Sequence, residues 1–365
     1  MVSEKSKPVL KKKTNLKAVD FFCGAGGMSY GLAQADINVL AGIDNDPSCR
    51  ETYSLNNKPA QFINSDISEL SCRDLAGKLS LKRDDDQLIF VGCSPCQFWS
   101  KINTVKEKSN KTAFLLKEFQ RFVDYFRPAF VIIENVPGLS TRKTHDLLPQ
   151  FHNFLTENSY KYAHGVINSN LFGVPQNRRR YLLIASRLSK PIKLPEGIKE
   201  DRLTVRDFIG PDKGFPPLEA GQRDCTVDLH TAAGLSVKNL QRIKSTEPNG
   251  GTRFCWKDDP ELQLPAYVGK DHIFKDVYGR MFWDQPAPTI TTRFNSLSNG
   301  RFGHPEEHRA LSLREGATLQ TFPREYIFKA PNLAAVARQI GNAVPPALGK
   351  RIGRHLLEIF QNGSI

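Results

Sequence analysis

Residues 91–100, VGCSPCQFWS, set Cys93 and Cys96 three apart around Pro95. Such spacing serves a redox pair, half of a zinc site, or a single thiolate presented to a substrate. A zinc site needs about four ligands, usually a second Cys or His pair at similar spacing. No other cysteine pair is that close, and His145 and His152 form no partner motif, so no metal is expected. A redox C-x-x-C normally opens a helix that follows a strand near the start of the chain. Here Pro95 and the polar QFWSK give the segment a loop character, which favours one nucleophile. Cys96, flanked by Pro95 and Gln97, is the better candidate; Cys93 sits nearer the preceding apolar run and reads as packing. A thiol-redox enzyme would use both Cys93 and Cys96 and stays open as an alternative.

A second set of residues could hold a ligand. Gly24, Gly26 and Gly27 in DFFCGAGG follow an apolar run, where glycines let the backbone turn tightly and approach a ligand closely. The pattern is not G-x-G-x-x-G, so a phosphate cradle is not implied. Asp44 in GIDND closes the next apolar run, a place where a carboxylate accepts hydrogen bonds from ribose hydroxyls. Asp66 in NSDI is a third polar group of this kind, where an adenine amino group could donate. Together they describe a nucleoside pocket at the carboxyl edge of a sheet.

Those groups need a frame. KAVDFF, VLAGID, QLIFVG, AFVIIENV, YKYAHGVIN and RRYLLIAS read as strands, and GGMSYGLAQA and AFLLKEFQRFVDYF as helices. Asp46 and Pro47 suit an N-cap and a first helical position. The alternation predicts an α/β fold with a mostly parallel sheet covered on both faces. The alternation runs to about residue 187, and after LSKPIKLPEGIKEDR Pro, Gly and polar residues dominate to about 335, as in a smaller, loop-rich domain. Helical spacing returns at Leu348, Ile352, Leu356 and Ile359. The expected organisation is a basic tail at 1–16, a catalytic and cofactor-binding domain at 17–189, a second domain at 190–336, and a return to the first at 337–365.

Composition sets the class. The chain has 365 residues, 39% of them hydrophobic and 24% charged, as in ordinary globular proteins. It has no apolar run near the ~20 residues of a membrane span, and MVSEKSKPVLKKKTNLK lacks a signal-peptide core. A cytoplasmic location is expected, with the seven cysteines reduced. The net charge of +13 points to a polyanionic partner.

In order, from about residue 17 to 350, these segments resemble the cytosine-5 DNA methyltransferases of bacterial restriction-modification systems. DFFCGAGG is similar to the first cofactor motif of that family and GCSPCQFWS to its Pro-Cys-Gln nucleophile loop. ENVPG resembles the Glu-Asn-Val motif, and QNRRR the Gln-x-Arg-x-Arg motif. RALSLREGATLQTFP resembles the motif that supports the recognition domain, and GNAVPP the closing cofactor motif. The resemblance implies a Rossmann-like methyltransferase domain with a loop-rich DNA-recognition domain. The implied reaction is S-adenosylmethionine-dependent methylation of cytosine carbon 5 in a specific duplex sequence, through a covalent Cys96 adduct with a flipped-out base.

By the same likeness Glu134 eases ring activation, and Arg178 and Arg180, two apart on an extended segment, face the base carbonyl and the adjacent phosphate. Phe22, Gly24, Gly26, Gly27, Asp44, Asn45, Asp66, Ile67, Gly92, Pro95, Asn342, Ala343 and Val344 hold the cofactor. Gln97, Ser100, Thr291, Thr292 and Arg293 meet DNA. Double-stranded DNA is the implied partner, with a cognate restriction endonuclease acting separately, and the protein is expected to be a monomer at the nucleoid. A relative acting on transfer RNA would share the catalytic motifs; the sizeable recognition region argues for duplex DNA.

Overall fold

The computed structural model describes residues 15–93, 107–141, 147–188, 191–198 and 202–361. Its first half alternates β1 (Lys17–Phe21), α1 (Gly27–Ala33), β2 (Asn38–Asp44), α2 (Arg50–Asn56), β3 (Gln61–Asn64), α3 (Cys72–Leu79) and β4 (Leu88–Gly92). Then come α4 (Glu107–Phe126), β5 (Phe130–Asn135), α5 (Gly138–Thr141), α6 (Leu147–Glu157), β6 (Lys161–Asn168), a short β7 (Gln176–Asn177) and β8 (Arg179–Ser186). The strands form a seven-stranded sheet in the order β3-β2-β1-β4-β5-β8-β6.

Strands β1 to β5 pair in parallel, and the apolar runs of β1, β2, β4 and β5 are buried, as a sheet covered on both faces requires. Alternation along β1 divides the two faces. Val19 and Phe21 join Phe90, Phe119, Phe122 and Val131 under α3, α4 and α6. Ala18 joins Met28, Leu32, Ile89, Phe130 and Ile132 on the opposite face, with α1. Strand β8 is the antiparallel member, paired with β5 and β6. The link from β6 to β8 is too short to hold the crossover that a parallel pairing needs. The β3 edge strand, QFIN, was not legible, being short and only half-buried.

The later chain holds α7 (Val205–Ile209), α8 (Val237–Lys244), a two-residue β9 (Ala287–Pro288), α9 (Leu313–Leu319), α10 (Leu333–Asn342) and α11 (Pro346–Gln361). A third core gathers Val205, Trp283, Ile290, Phe294, Leu311 and Leu319 with Val336, Ile340, Ala343 and Ala25. That core spans the boundary expected at 336 and reaches the glycine turn after β1. Helix α11 returns to the sheet, where Leu348, Ile352 and Leu356 are fully buried beside Leu32 and Val39. Among the described residues no helix is long and apolar enough to cross a membrane.

Candidate functional site

The chain lays β2 and β3 on one side of β1 and places β4 on the other. That reversal opens a crevice at the carboxyl ends of β1 and β4, the switch point where open α/β sheets bind ligands. Phe22 leaves β1 at φ 62, a left-handed conformation uncommon for a residue with a side chain. Gly24 and Gly26 continue the turn at φ 51 and 88. Of the three glycines, Gly24 alone opens onto free space, since a Cβ there meets no atom within 4 Å. A Cβ at Gly26 would overlap Asn57, and one at Gly27 the Val344 carbonyl. Gly26 and Gly27 therefore seat the turn against its neighbours, and Gly27 brings the closing motif beside it.

Asp44, at the end of β2, accepts the Gly24 N–H at 2.8 Å and the Asp46 N–H at 2.9 Å. Burial pushes its carboxyl above the ordinary range, against the pull of those two N–H donors. Asn45 donates to Asp66 at 3.2 Å, so the ends of β2 and β3 are linked. Asp66 also accepts from the Ser68 N–H and hydroxyl, and Ile67 beside it is buried. Asp46 caps the turn that Pro47 opens, accepting the Ser48 N–H at 2.9 Å. Beneath the turn, Asp20 is fully buried and accepts from Ser29 at 2.7 Å, with the Tyr53 hydroxyl 2.9 Å from Ser29. Burial raises the Asp20 carboxyl to about 7. Sequence reading passed over it, because an acid inside an apolar strand carries no mark of its burial.

Gly92 ends β4 in register with Ile133, so Glu134 stands one residue beyond it on β5. Glu134 is buried, and Arg180 Nε lies 3.1 Å from its Oε1. The ion pair leaves that oxygen without a hydrogen-bond donor. Cys93 is half-buried against the Ala18 face of the sheet, and its N–H donates to Phe21. Cys96, Pro95, Gln97 and Ser100 lie outside the described residues.

Arg178 does not accompany Arg180. The segment is not one continuous strand: the Arg178 N–H donates to Gln176 O and Asn168 Oδ1, a turn between β7 and β8. The two side chains therefore part. Arg178 is 2% exposed and donates to the carbonyls of Ile290, Gly341 and Ala343 at 3.0 to 3.3 Å. Arg180 faces Glu134, Arg178 sits at this buried junction, and Arg179 is exposed.

Buried glutamines complete this junction. Gln176 donates to Gln320 and Leu319 O and accepts the Ile290 N–H; Gln320 donates to Ile340 O and Ala343 O. Gln176 and Gln320 lie in motifs that the sequence displays, yet nothing in their spacing signals that they meet. Thr291, Thr292 and Arg293 follow Ile290, and a Cβ at Gly341 would overlap the Thr291 backbone. Thr291 and Arg293 are exposed, as is Asn342, whereas Ala343 and Val344 are buried. Among the described residues no cluster of His, Cys, Asp and Glu is placed to hold a metal ion.

A mostly parallel sheet with carboxylates and a glycine turn at its switch point defines a Rossmann-like α/β fold. The profile of the C-5 cytosine-specific DNA methylases matches residues 16–358, and the chain belongs to that family. It is 41% identical to the Type II methylase M.HgiDII of Herpetosiphon aurantiacus, over 94% of this chain and 95% of that one. It is 31% identical to the Type II methyltransferase M1.HphI of Haemophilus parahaemolyticus, over 95% of this chain and 88% of the relative. The fold is shared with an Escherichia coli prophage protein described as a candidate DNA modification methyltransferase. That match has a TM-score of 0.72 at 21% identity and covers 95% of this chain and all 100% of the other. The protein is thus a DNA cytosine-5-methyltransferase.

Proposed function

We propose that the chain methylates carbon 5 of a cytosine in a specific duplex DNA sequence, through a covalent adduct between Cys96 and carbon 6 of a flipped-out base. The observation that carries this reading is the ion pair of buried Glu134 with the partly buried Arg180, at the strand end beside the one that leads to Cys96. Carbon 5 of cytosine is a poor nucleophile until a group adds at carbon 6. A thiolate suits that addition, being strongly nucleophilic and able to leave again. The electrons it pushes into the ring collect at the N3 edge, where Glu134 donates a proton or hydrogen bond. Arg180 meets the base carbonyl and holds Glu134 in place. Carbon 5 then takes the methyl group, loses its proton to a base, and Cys96 is expelled. A base inside a duplex is out of reach, so flipping it costs a few kcal/mol.

S-adenosylmethionine supplies the methyl group, and the crevice fits its nucleoside. Gly24 leaves room for close approach, Asp44 accepts from ribose hydroxyls, and Asp66 accepts from the adenine amino group. Phe22, Asn45, Ile67 and Gly92 line that side, and Asn342, Ala343 and Val344 the other; Pro95, outside the described residues, is assigned to the cofactor by family likeness. Gly26 and Gly27 act by holding the turn. Residues 190–336 form the target-recognition region, in which Thr291, Thr292 and Arg293 approach DNA beside Gly341. Gln97 and Ser100 contact the DNA from the Cys96 loop. The names of the two relatives support a place in a restriction-modification system; the separate endonuclease and the cytoplasmic, nucleoid-associated monomer are part of the proposal.

The test is expression in a host without cytosine-5 methylation, followed by bisulfite sequencing and trapping on duplexes with 5-fluorocytosine at the site. Fluorine cannot leave as a proton does, so the enzyme stalls as a denaturation-resistant adduct that needs S-adenosylmethionine. Glu134→Gln forms the adduct more slowly and Cys96→Ser forms none. An adduct mapped to Cys93, or preference for fluorinated RNA, overturns the proposal.

A further inference from the structure

Helix α8 lies in the recognition region and is held from behind with unusual thoroughness. Ser236 caps it, accepting the Asn239 N–H at 3.3 Å. Arg242 is buried, donates to Leu262 O at 2.7 Å and Asn239 at 2.8 Å, and lies over the rings of Trp256 and Tyr278. Arg280 is fully buried and closes the carboxyl end, donating to Ile243 O at 2.7 Å and Thr246 O at 3.0 Å. A cation there also complements the helix dipole. Trp256 donates to the Thr246 hydroxyl at 3.0 Å.

The outer stripe of this helix faces solvent. It presents Val237, 76% exposed, with Lys238, Gln241 and Lys244. These positions fall near one face of an α-helix. The helix itself contributes no acidic residue; Glu261 approaches Lys238 at 3.8 Å, in an exposed pair of little strength. Leu240 and Ile243, on the inner side, share a core with Leu297, a few residues past Arg293. The stripe is therefore anchored to the same segment that meets Gly341.

We infer that α8 is a reading helix that lies in the major groove of duplex DNA beside the target cytosine. An α-helix with its side chains is about 10–12 Å across, which the groove of about 12 Å admits, and eight residues give it about 12 Å of length along the groove. Gln241 has the paired donor and acceptor that match adenine, and Val237 suits a thymine methyl group. Lys238 and Lys244 flank them and meet phosphates. This inference rests on the DNA-methylating reading above, and its test separates the two.

The full chain is assayed by bisulfite sequencing on duplexes randomised around its site, and by DNA affinity over a range of salt. Gln241→Ala lowers discrimination at one or two base pairs by roughly ten- to a hundred-fold, with S-adenosylmethionine affinity and melting temperature unchanged. Gln241→Arg moves the preference at those positions towards guanine. Lys238→Ala with Lys244→Ala weakens binding to all sequences and reduces the slope of log affinity against log salt by about 2. If wild type methylates its site but these variants keep its preference and salt slope, the reading helix is overturned and the methylation reading stands. If Val237→Asp instead dissociates a dimer, seen by light scattering, with site preference intact, the face belongs to a second copy and the inference also fails. A wild type that methylates no cytosine defeats the functional reading itself.

Discussion

Arg178 and Arg180 are two residues apart and do different work. The Arg178 guanidinium ties three carbonyls that come from the recognition segment and the closing motif. An ammonium cannot match that fork, so Arg178→Lys should lower unfolding free energy by roughly 1–3 kcal/mol, read as a fall in melting temperature. Arg180 faces Glu134; Arg180→Lys keeps a positive charge there and should slow methyl transfer with a much smaller change in melting. The reverse pattern would return Arg178 to the base. Asp44→Ala removes an acceptor that also holds the Gly24 N–H. It should weaken S-adenosylmethionine binding by about 1–3 kcal/mol and leave DNA affinity without cofactor unchanged, as calorimetry would show.

Two buried acids give their elements opposite dependences on pH. Asp20 in β1 sits under α1, and burial lifts its carboxyl to about 7. In the unfolded chain it ionises near ~3.9, so the unfolded state sheds the proton first. Stability from this group is whole below about pH 4 and declines as pH rises towards 7. Asp20→Asn should remove the decline, gaining on wild type across that interval in urea titrations. Glu315 opens α9 in a capping box with Ser312 and pairs with Arg309 at 2.7 and 2.8 Å. Burial alone would raise its carboxyl, but the Arg309 guanidinium outweighs burial and holds it at about 2. Its contribution is present above about pH 4.3 and is lost as pH falls towards 2. Glu315→Gln should cost roughly 3–5 kcal/mol at pH 7, with the gap to wild type closing in acid.

At the scale of the whole molecule, α11 closes the fold on α1 and the sheet. Leu348, Ile352 and Leu356 are each fully buried. At ~1.5–3 kcal/mol for each such side chain, they rival the ~5–15 kcal/mol stability of a domain. A chain ended before Pro346 should therefore fail to melt cooperatively, in calorimetry, even though every β-strand remains. The third core joins elements from distant parts of the chain, since Ala25 packs with Ile340 and Ala343. The glycine turn and the closing motif are consequently parts of one packed body.

The sequence alone determined the α/β alternation, because fully buried parallel strands are continuous apolar runs and helices keep their own period. It also determined the family, because six motifs stand in order along the chain. Local signals such as the Asp46 cap were legible for the same reason: their causes lie within a few residues. Only the tertiary structure decided what depends on distant partners. It broke the extended segment at Arg178, turned that side chain into the junction with Ile290, Gly341 and Ala343, and ran β8 antiparallel. It joined Gln176 to Gln320 and buried Arg242 on the inner side of α8 with Arg280 at its carboxyl end. A guanidinium reads the same in a sequence whether it faces solvent, a carboxylate or three carbonyls, because the neighbours that choose among these are brought together only by folding.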